Sequence, residues 1–194
     1  DPLNNETRYN LGQIQLHNLD FNEGWKNLKS RWLYHDYKHI TINTEKKLLT
    51  NLKDLKKIFL WTEQGIGDQI MYGSMFNEIS QLSEKVFVKF DNRLINIFEK
   101  KHPNISFIES SSDLTEEKFD RHLPLGDLGS FLRNDIKSFD KVSFPYIDVD
   151  DKICSEVKKT FSVNNKKILG ISWTSKNEEV GKNKSIKLTD LMPI

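Results

Sequence analysis

From Lys57 onward, short apolar runs alternate with longer amphipathic ones. "KIFLWT", "VFVKF", "ISFI" and "KILGISW" are rich in β-branched and aromatic residues and lack strict alternation. Runs of that kind predict strands buried on both faces of a parallel sheet. Between them, "QIMYGSMFNEISQL" sets Met71, Met75, Ile79 and Leu82 on one helical stripe. "NRLINIFEKKH" does the same with Leu94, Ile97 and Phe98 until Pro103 stops it. "DDKICSEVKKTF", after "SFPYIDVD", predicts a further helix, and "KILGISW" with "IKLTDLMPI" opens a new strand–helix unit. Strands alternating with helices predict βαβ units and a doubly wound α/β layer.

The first third carries a different period. Trp25, Leu28 and Trp32 fall at i, i+3 and i+7, one face of a helix, and Tyr9, Leu11, Gly12 and Leu16 precede them in a second helical stretch. Asn18 to Asp20 predicts the turn between the two, with Asp20 or Asn22 as cap. A lone helical pair of this kind must lean on another part of the chain or on stacked neighbours. Residues 38–56 are polar and lysine-rich, interrupted by Leu48, Leu49 and Leu52, and read as a solvated linker or a short helix. Four segments result: a helical pair at 1–37, the linker at 38–56, an α/β domain at 57–163, and the start of another at 164–194.

Composition narrows the class. The 194 residues hold 29 Lys and Arg against 28 Asp and Glu, so no basic footprint for nucleic acid or an anionic membrane is visible. No apolar run approaches the roughly 18 residues that span a bilayer. The opening "DPLNNETRYN" is polar, unlike a signal peptide. With Cys154 alone, an internal disulfide framework and a multi-cysteine zinc site are excluded, and a reducing, cytoplasmic setting is expected. Cys154 beside Ile153 and Val157 reads as a core thiol. His17, His35, His39 and His102 lack metal-ligand spacing, and Trp25, Trp32, Trp61 and Trp173 read first as packing residues.

The chemistry concentrates in "WTEQGIGDQI", residues 61–70, between a strand and a helix. Gly65 and Gly67 there allow a tight turn or a close ligand, and the helix start offers unpaired N–H groups to an anion. The dinucleotide pattern G-x-G-x-x-G fails at Ile70, although Asp91 follows the next strand where a ribose-binding acid would sit. Asp68 has two readings: a helix cap, or a carboxylate that accepts a hydroxyl proton as a transition state forms.

The order of "DFNEGWKNLKSRW", "FLWTEQGIGDQI", "DRHLPLGDL", "FPYIDVD" and "LGISWTSKN" with "NKSIKLTDLMPI" resembles bacterial tetratricopeptide-repeat glycosyltransferases related to the heptosyltransferase family. The resemblance implies a two-domain GT-B fold, of which the α/β domain here is the Rossmann-like N-terminal half, preceded by a repeat-like helical hairpin. It implies sugar transfer from a nucleotide sugar to a carbohydrate or protein hydroxyl, without metal or cofactor, and a protein partner for the helical repeat. Asp68 would be the general base, and Gln64, Gly65, Gly67, His122 and Asp127 would bind the acceptor. Ser172 and Thr174, at the end of a strand, and Lys184 and Ser185 would bind the donor; Lys182, Lys184 and Lys187 also read as a solvated charge run. Within "DRHLPLGDLGSF" the match keeps Asp120, Pro124, Leu125 and Leu128, whereas Gly126, Asp127 and Gly129 stand in place of a more apolar or serine-proline stretch. "DPLN" resembles the close of a preceding repeat, so both ends are expected to lie inside a longer protein. A second class stays open: a non-catalytic helical-repeat and α/β interaction module.

Overall fold

The computed structural model describes residues 4–33, 42–53, 55–112, 115–161, 169–176 and 181–191. The chain divides into two compact units, residues 1–148 and 149–194. In the first, β1 (Lys47–Leu48), β2 (Lys57–Trp61), β3 (Lys85–Phe90), β4 (Ile105–Glu109) and β5 (Arg121–Pro124) form one parallel sheet in the order β1-β5-β2-β3-β4. Leu60 stands opposite Val88 on one side and Leu123 on the other, so β2 is the central strand. The chain winds outward from β2 through β3 to β4, then crosses back to β5 on the other flank of β2. That reversal makes the carboxyl ends of β2 and β5 a topological switch point, the place where open α/β sheets bind ligands.

Alternation along β2 sorts the core. Ile58 and Leu60 face the helices with Val86, Val88 and Phe90, while Phe59 and Trp61 join Phe119 on the opposite face. Helices α3 (Ile66–Gly73), α4 (Phe76–Leu82) and α5 (Asn92–Phe98) cover the first face. The "doubly wound" expectation is therefore met in the parallel sheet but not, among the described residues, in a second helical layer. The sequence of β3 carries the reason: Lys85, Phe87 and Lys89 alternate with fully buried Val86, Val88 and Phe90, the signature of a strand with one deep face. The predicted single helix over 69–82 is two helices, broken at Ser74–Met75. Its buried stripe is Tyr72, Met75, Phe76 and Ile79, with Met71 and Leu82 exposed. Phe76 makes edge-to-face contacts with Phe90 and Phe98 at 5.6 and 5.7 Å.

Helices α1 (Asn5–His17) and α2 (Phe21–Leu28) form the expected pair, capped by Asn4 and Asp20. They run antiparallel in close contact: a Cβ on Gly12 would fall 2.5 Å from the Leu28 nitrogen, and one on Gly24 2.9 Å from that of Leu16. The pair leans on the sheet. Trp25 lies on Gly129 of α6 (Gly129–Leu132) and donates to the Arg133 carbonyl at 2.6 Å, while Trp32 packs on Trp61 at 5.6 Å. Arg133 in turn grips Glu78 through both guanidinium nitrogens at 2.5 and 2.9 Å, tying α6 to α4.

The lysine-rich stretch read as a linker supplies β1, and Leu49 and Leu55 enter the core. Two residues of ladder are too few to leave a periodic signal, so the polar composition dominated the reading. Its first residues, 38–41, and the boundary at 37 lie outside the described residues. In the second unit α7 (Asp151–Phe161) forms as expected, but Ile153, Val157 and Phe161 are exposed and Cys154 is half-buried, so Cys154 is not a core thiol there. "KILGISW" forms no strand over its described part, 169–173; only single hydrogen bonds, such as Ile186 N–H to the Trp173 carbonyl at 3.0 Å, join it to a neighbouring stretch. A strand needs a continuous ladder. No helix among the described residues is long and apolar enough to cross a membrane.

Candidate functional site at the switch point

The loop after β2 turns into α3 with Gly65 in extended conformation (φ −68°, ψ 172°) as the N-cap. Neither loop glycine adopts positive φ, so the turn makes no use of glycine's left-handed freedom. Asp68 is the third residue of the helix and not its N-cap. Its Oδ2 reaches back to accept from the Gly65 N–H at 3.1 Å, the side-chain half of a capping box, since glycine has no side chain to return the bond. The second carboxylate oxygen has no hydrogen-bond partner among the described residues, and the residue is half-buried. Gln64 stands beside it; its carbonyl accepts from Gln69 Nε2 at 3.4 Å. Gln69 also accepts from the Asp91 N–H at 2.9 Å, which joins the loops after β2 and β3. Asp91 itself caps α5 and pairs with Arg93 at 2.8 Å, whose hydrogen bonds lower its pKa to about 2. That carboxylate is already committed, against a ribose-binding role.

Gly67 is exposed, and a Cβ there would meet nothing within 4 Å. Gly67→Ala is therefore expected to leave the fold intact, or to stabilise it by up to about 1 kcal/mol through better helix propensity. Urea denaturation checks this; a marked loss of stability would show a packing constraint that the open space beside Gly67 does not contain.

Behind the loop lies a charge cluster that sequence reasoning missed. Arg31, fully buried, reaches Asp127 Oδ1 at 2.7 Å and Glu63 Oε1 at 3.0 Å. Glu63 also accepts from the Gly126 N–H at 3.2 Å, and Asp127 Oδ2 accepts from Trp32 Nε1 at 3.1 Å. Glycine is required at 126: a Cβ would overlap the Glu63 carboxylate and lie 3.3 Å from the Arg31 guanidinium. Gly126 and Gly129, which depart from the resembled pattern, are thus the seats of Glu63 and Trp25. A signal for Arg31 was present. Phe21, Gly24, Leu28 and Arg31 fall at i, i+3, i+7 and i+10, and all four are buried.

One guanidinium serves two buried carboxylates. Burial would lower the Arg31 pKa, but Asp127 and Glu63 outweigh it and raise it. Burial pushes Glu63 above the usual carboxylate range, with Arg31 pulling the other way and losing. A carboxyl with a raised folded pKa holds its proton longer in the native state than in the unfolded chain. Its contribution to stability is full below the ordinary value of 4.5 and is lost as pH rises through the folded pKa. Glu63→Gln keeps the acceptor and abolishes the titration. As pH rises above 4.5 the wild type is expected to lose stability relative to this variant, measured as unfolding free energy at each pH; a constant difference would contradict the raised pKa.

His122, in β5, accepts from Trp61 Nε1 at Nδ1 (3.1 Å), so Nε2 carries the proton and donates to the Lys46 carbonyl at 3.1 Å. Burial lowers its pKa, and it pins β1 and Trp61 to β5 as a neutral imidazole. His122 and Asp127 line a cavity of about 1050 Å³. Asp68 and Gln64 line instead a crevice with no room for water, shared with Glu63, Tyr72 and Gly126. The structure thus brings Gln64, Gly65, Gly67 and Asp68 together at the switch point, and sets His122 and Asp127 on a separate wall of the same unit.

Ser172, Thr174, Lys184 and Ser185 belong to the second unit. Ser172 and Thr174 are exposed in a stretch without strand structure, which corrects their placement at a strand end. Ser185 Oγ accepts from the Ser175 N–H at 2.8 Å and donates to the Gly181 carbonyl at 2.6 Å, and Lys184 is exposed in a short turn, Lys182–Lys184. Among the described residues no cluster of three His, Cys, Asp or Glu could hold a metal ion.

The first unit is a parallel α/β domain compatible with a Rossmann-like fold, with a carboxylate-bearing helix start at its switch point. Comparison with protein-family models, curated proteins and solved structures found no match.

Proposed function

We propose that the chain belongs to a glycosyltransferase of the GT-B type, which transfers a sugar from a nucleotide sugar to a hydroxyl of a carbohydrate or protein, with the first unit as acceptor half. Asp68 carries the reading. It stands at the switch point with one oxygen held by the Gly65 N–H and the other unpartnered among the described residues. Held in that way, a carboxylate keeps its orientation and has an oxygen left to accept the acceptor's proton as the hydroxyl attacks the anomeric carbon. The open space beside Gly67 supports close approach of the acceptor to the loop. Ser172, Thr174, Lys184 and Ser185 contribute hydroxyls and positive charge to the donor phosphates, with Lys184 acting as a point charge. The repeat-like pair α1 and α2 is the element through which a protein acceptor or partner would dock.

The test is transfer from a panel of nucleotide sugars by the native gene product, wild type against Asp68→Asn. Loss of transfer in a folded variant supports the base. Unchanged transfer removes Asp68 from the mechanism. A wild type without transfer to any acceptor favours the non-catalytic interaction module.

A further inference from the structure

The cavity beside β5 takes no part in the chemistry assigned to Asp68, and its walls state what would fill it. Its volume of about 1050 Å³ is that of a small-molecule site. Trp32 and Trp61 meet there with ring centroids 5.6 Å apart, beside Leu49 and Phe131. The indole N–H groups face inward to the protein: Trp32 donates to Asp127 and Trp61 to His122. What the tryptophans turn to the cavity is ring, that of Trp32 already carrying the Arg31 guanidinium at 4.4 Å from its centroid.

The other polar groups are committed in the same way. Both oxygens of Asp127 are taken by Arg31 and Trp32, and both nitrogens of His122 by Trp61 and the Lys46 carbonyl. Glu116, whose carboxylate feels Lys46, is bound by the Thr44 hydroxyl and the Glu45 N–H. The Thr50 hydroxyl and the ammonium groups of Lys29 and Lys46 remain, the last also attracted to the Glu116 charge. Neither lysine forms an ion pair within 4.0 Å among the described residues, and Lys29 Nζ stands 5.6 Å from the Phe131 ring centroid on the cavity wall. We propose that this cavity binds a small amphipathic anion, an apolar body seated on Trp32, Trp61, Leu49 and Phe131 with one carboxylate or phosphate head group between Lys29 and Lys46. The proposal does not depend on the transferase reading.

Aromatic surface supplies the larger part of the affinity and the lysines select for charge. Three probes separate these contributions: 1-naphthaleneacetate, 1-naphthyl phosphate and the neutral 2-(1-naphthyl)ethanol. Each is titrated into the full chain, followed by tryptophan quenching and by calorimetry. The expected result is one saturable site at which at least one anion binds about tenfold or more tighter than the alcohol. Whichever anion binds tighter identifies the head group. In Lys29→Met/Lys46→Met the charge preference disappears while the alcohol binds as before. Leu48→Trp, at an exposed position of the cavity mouth, blocks all three probes in a chain whose thermal unfolding is unchanged. Absence of saturation up to about 1 mM, or equal affinity for anion and alcohol, overturns the proposal. So does anion binding that survives both variants.

Discussion

Arg31→Met lowers the unfolding free energy by about 3–5 kcal/mol, because it leaves two buried carboxylates without their shared cation. The side chains of Arg31 and Glu63 are wholly inaccessible, so Glu63 gains no water in place of the lost partner, while Asp127, on the cavity wall, is nearly as deep. Trp32 and Gly126 keep their hydrogen bonds to Asp127 and Glu63, but neither carries charge. The remedy follows from the same cause. In Arg31→Met/Glu63→Gln/Asp127→Asn no charge remains in the cluster, and most of the loss is recovered even though fewer polar contacts survive. Urea denaturation of the single and triple variants decides: a triple variant as unstable as Arg31→Met would mean that Arg31 acts by packing, not by charge. The result also bears on the helical pair, since Arg31 follows directly on α2 and Glu63 and Asp127 belong to the loops after β2 and β5. Loss of the cluster is expected to loosen the pair from the sheet, seen as faster amide exchange in α1 and α2.

Asp68→Asn separates folding from chemistry. The oxygen of the introduced amide can accept from the Gly65 N–H as Asp68 Oδ2 does, so that hydrogen bond is retained. Removal of a negative charge from the first turn of α3 costs about 0.3–1 kcal/mol through the helix dipole. An amide cannot take the acceptor's proton, and loss of a positioned general base typically costs about 10²–10⁴ in rate. With Asp68 as the proposed base, the expected outcome is transfer reduced by that factor, with KM for the acceptor nearly unchanged and stability within about 1 kcal/mol of wild type. A parallel fall in stability and rate would assign Asp68 to the cap alone.

Local pattern was enough for much of the first unit. The strands at 57–61, 85–90 and 105–109, the helical pair and its Asp20 cap, and α5 ending before Pro103 were legible because each depends on residues close in sequence. The break at Ser74–Met75 was not, because Met71 and Leu82 fit the helical period as well as the residues that the sheet buries. The loop "GIGD" was legible as a strand-to-helix turn, yet the position of Asp68 as the third residue of the helix depended on Gly65 taking the cap.

What the sequence determined by itself is the parallel α/β class, the helical pair and the presence of a carboxylate at the start of α3. Hydrophobic period and capping are short-range, so neighbouring residues suffice to specify them. Tertiary structure alone decided that β5 lies beside β2, which makes their carboxyl ends a switch point, and that β1 joins this sheet. It alone assembled Arg31, Glu63 and Asp127, which come from three separate segments, and the cavity walled by Trp32, Trp61 and the two lysines. Those features consist of long-range pairings, and a charge whose partner lies in a distant segment leaves no periodic trace beside it in the chain.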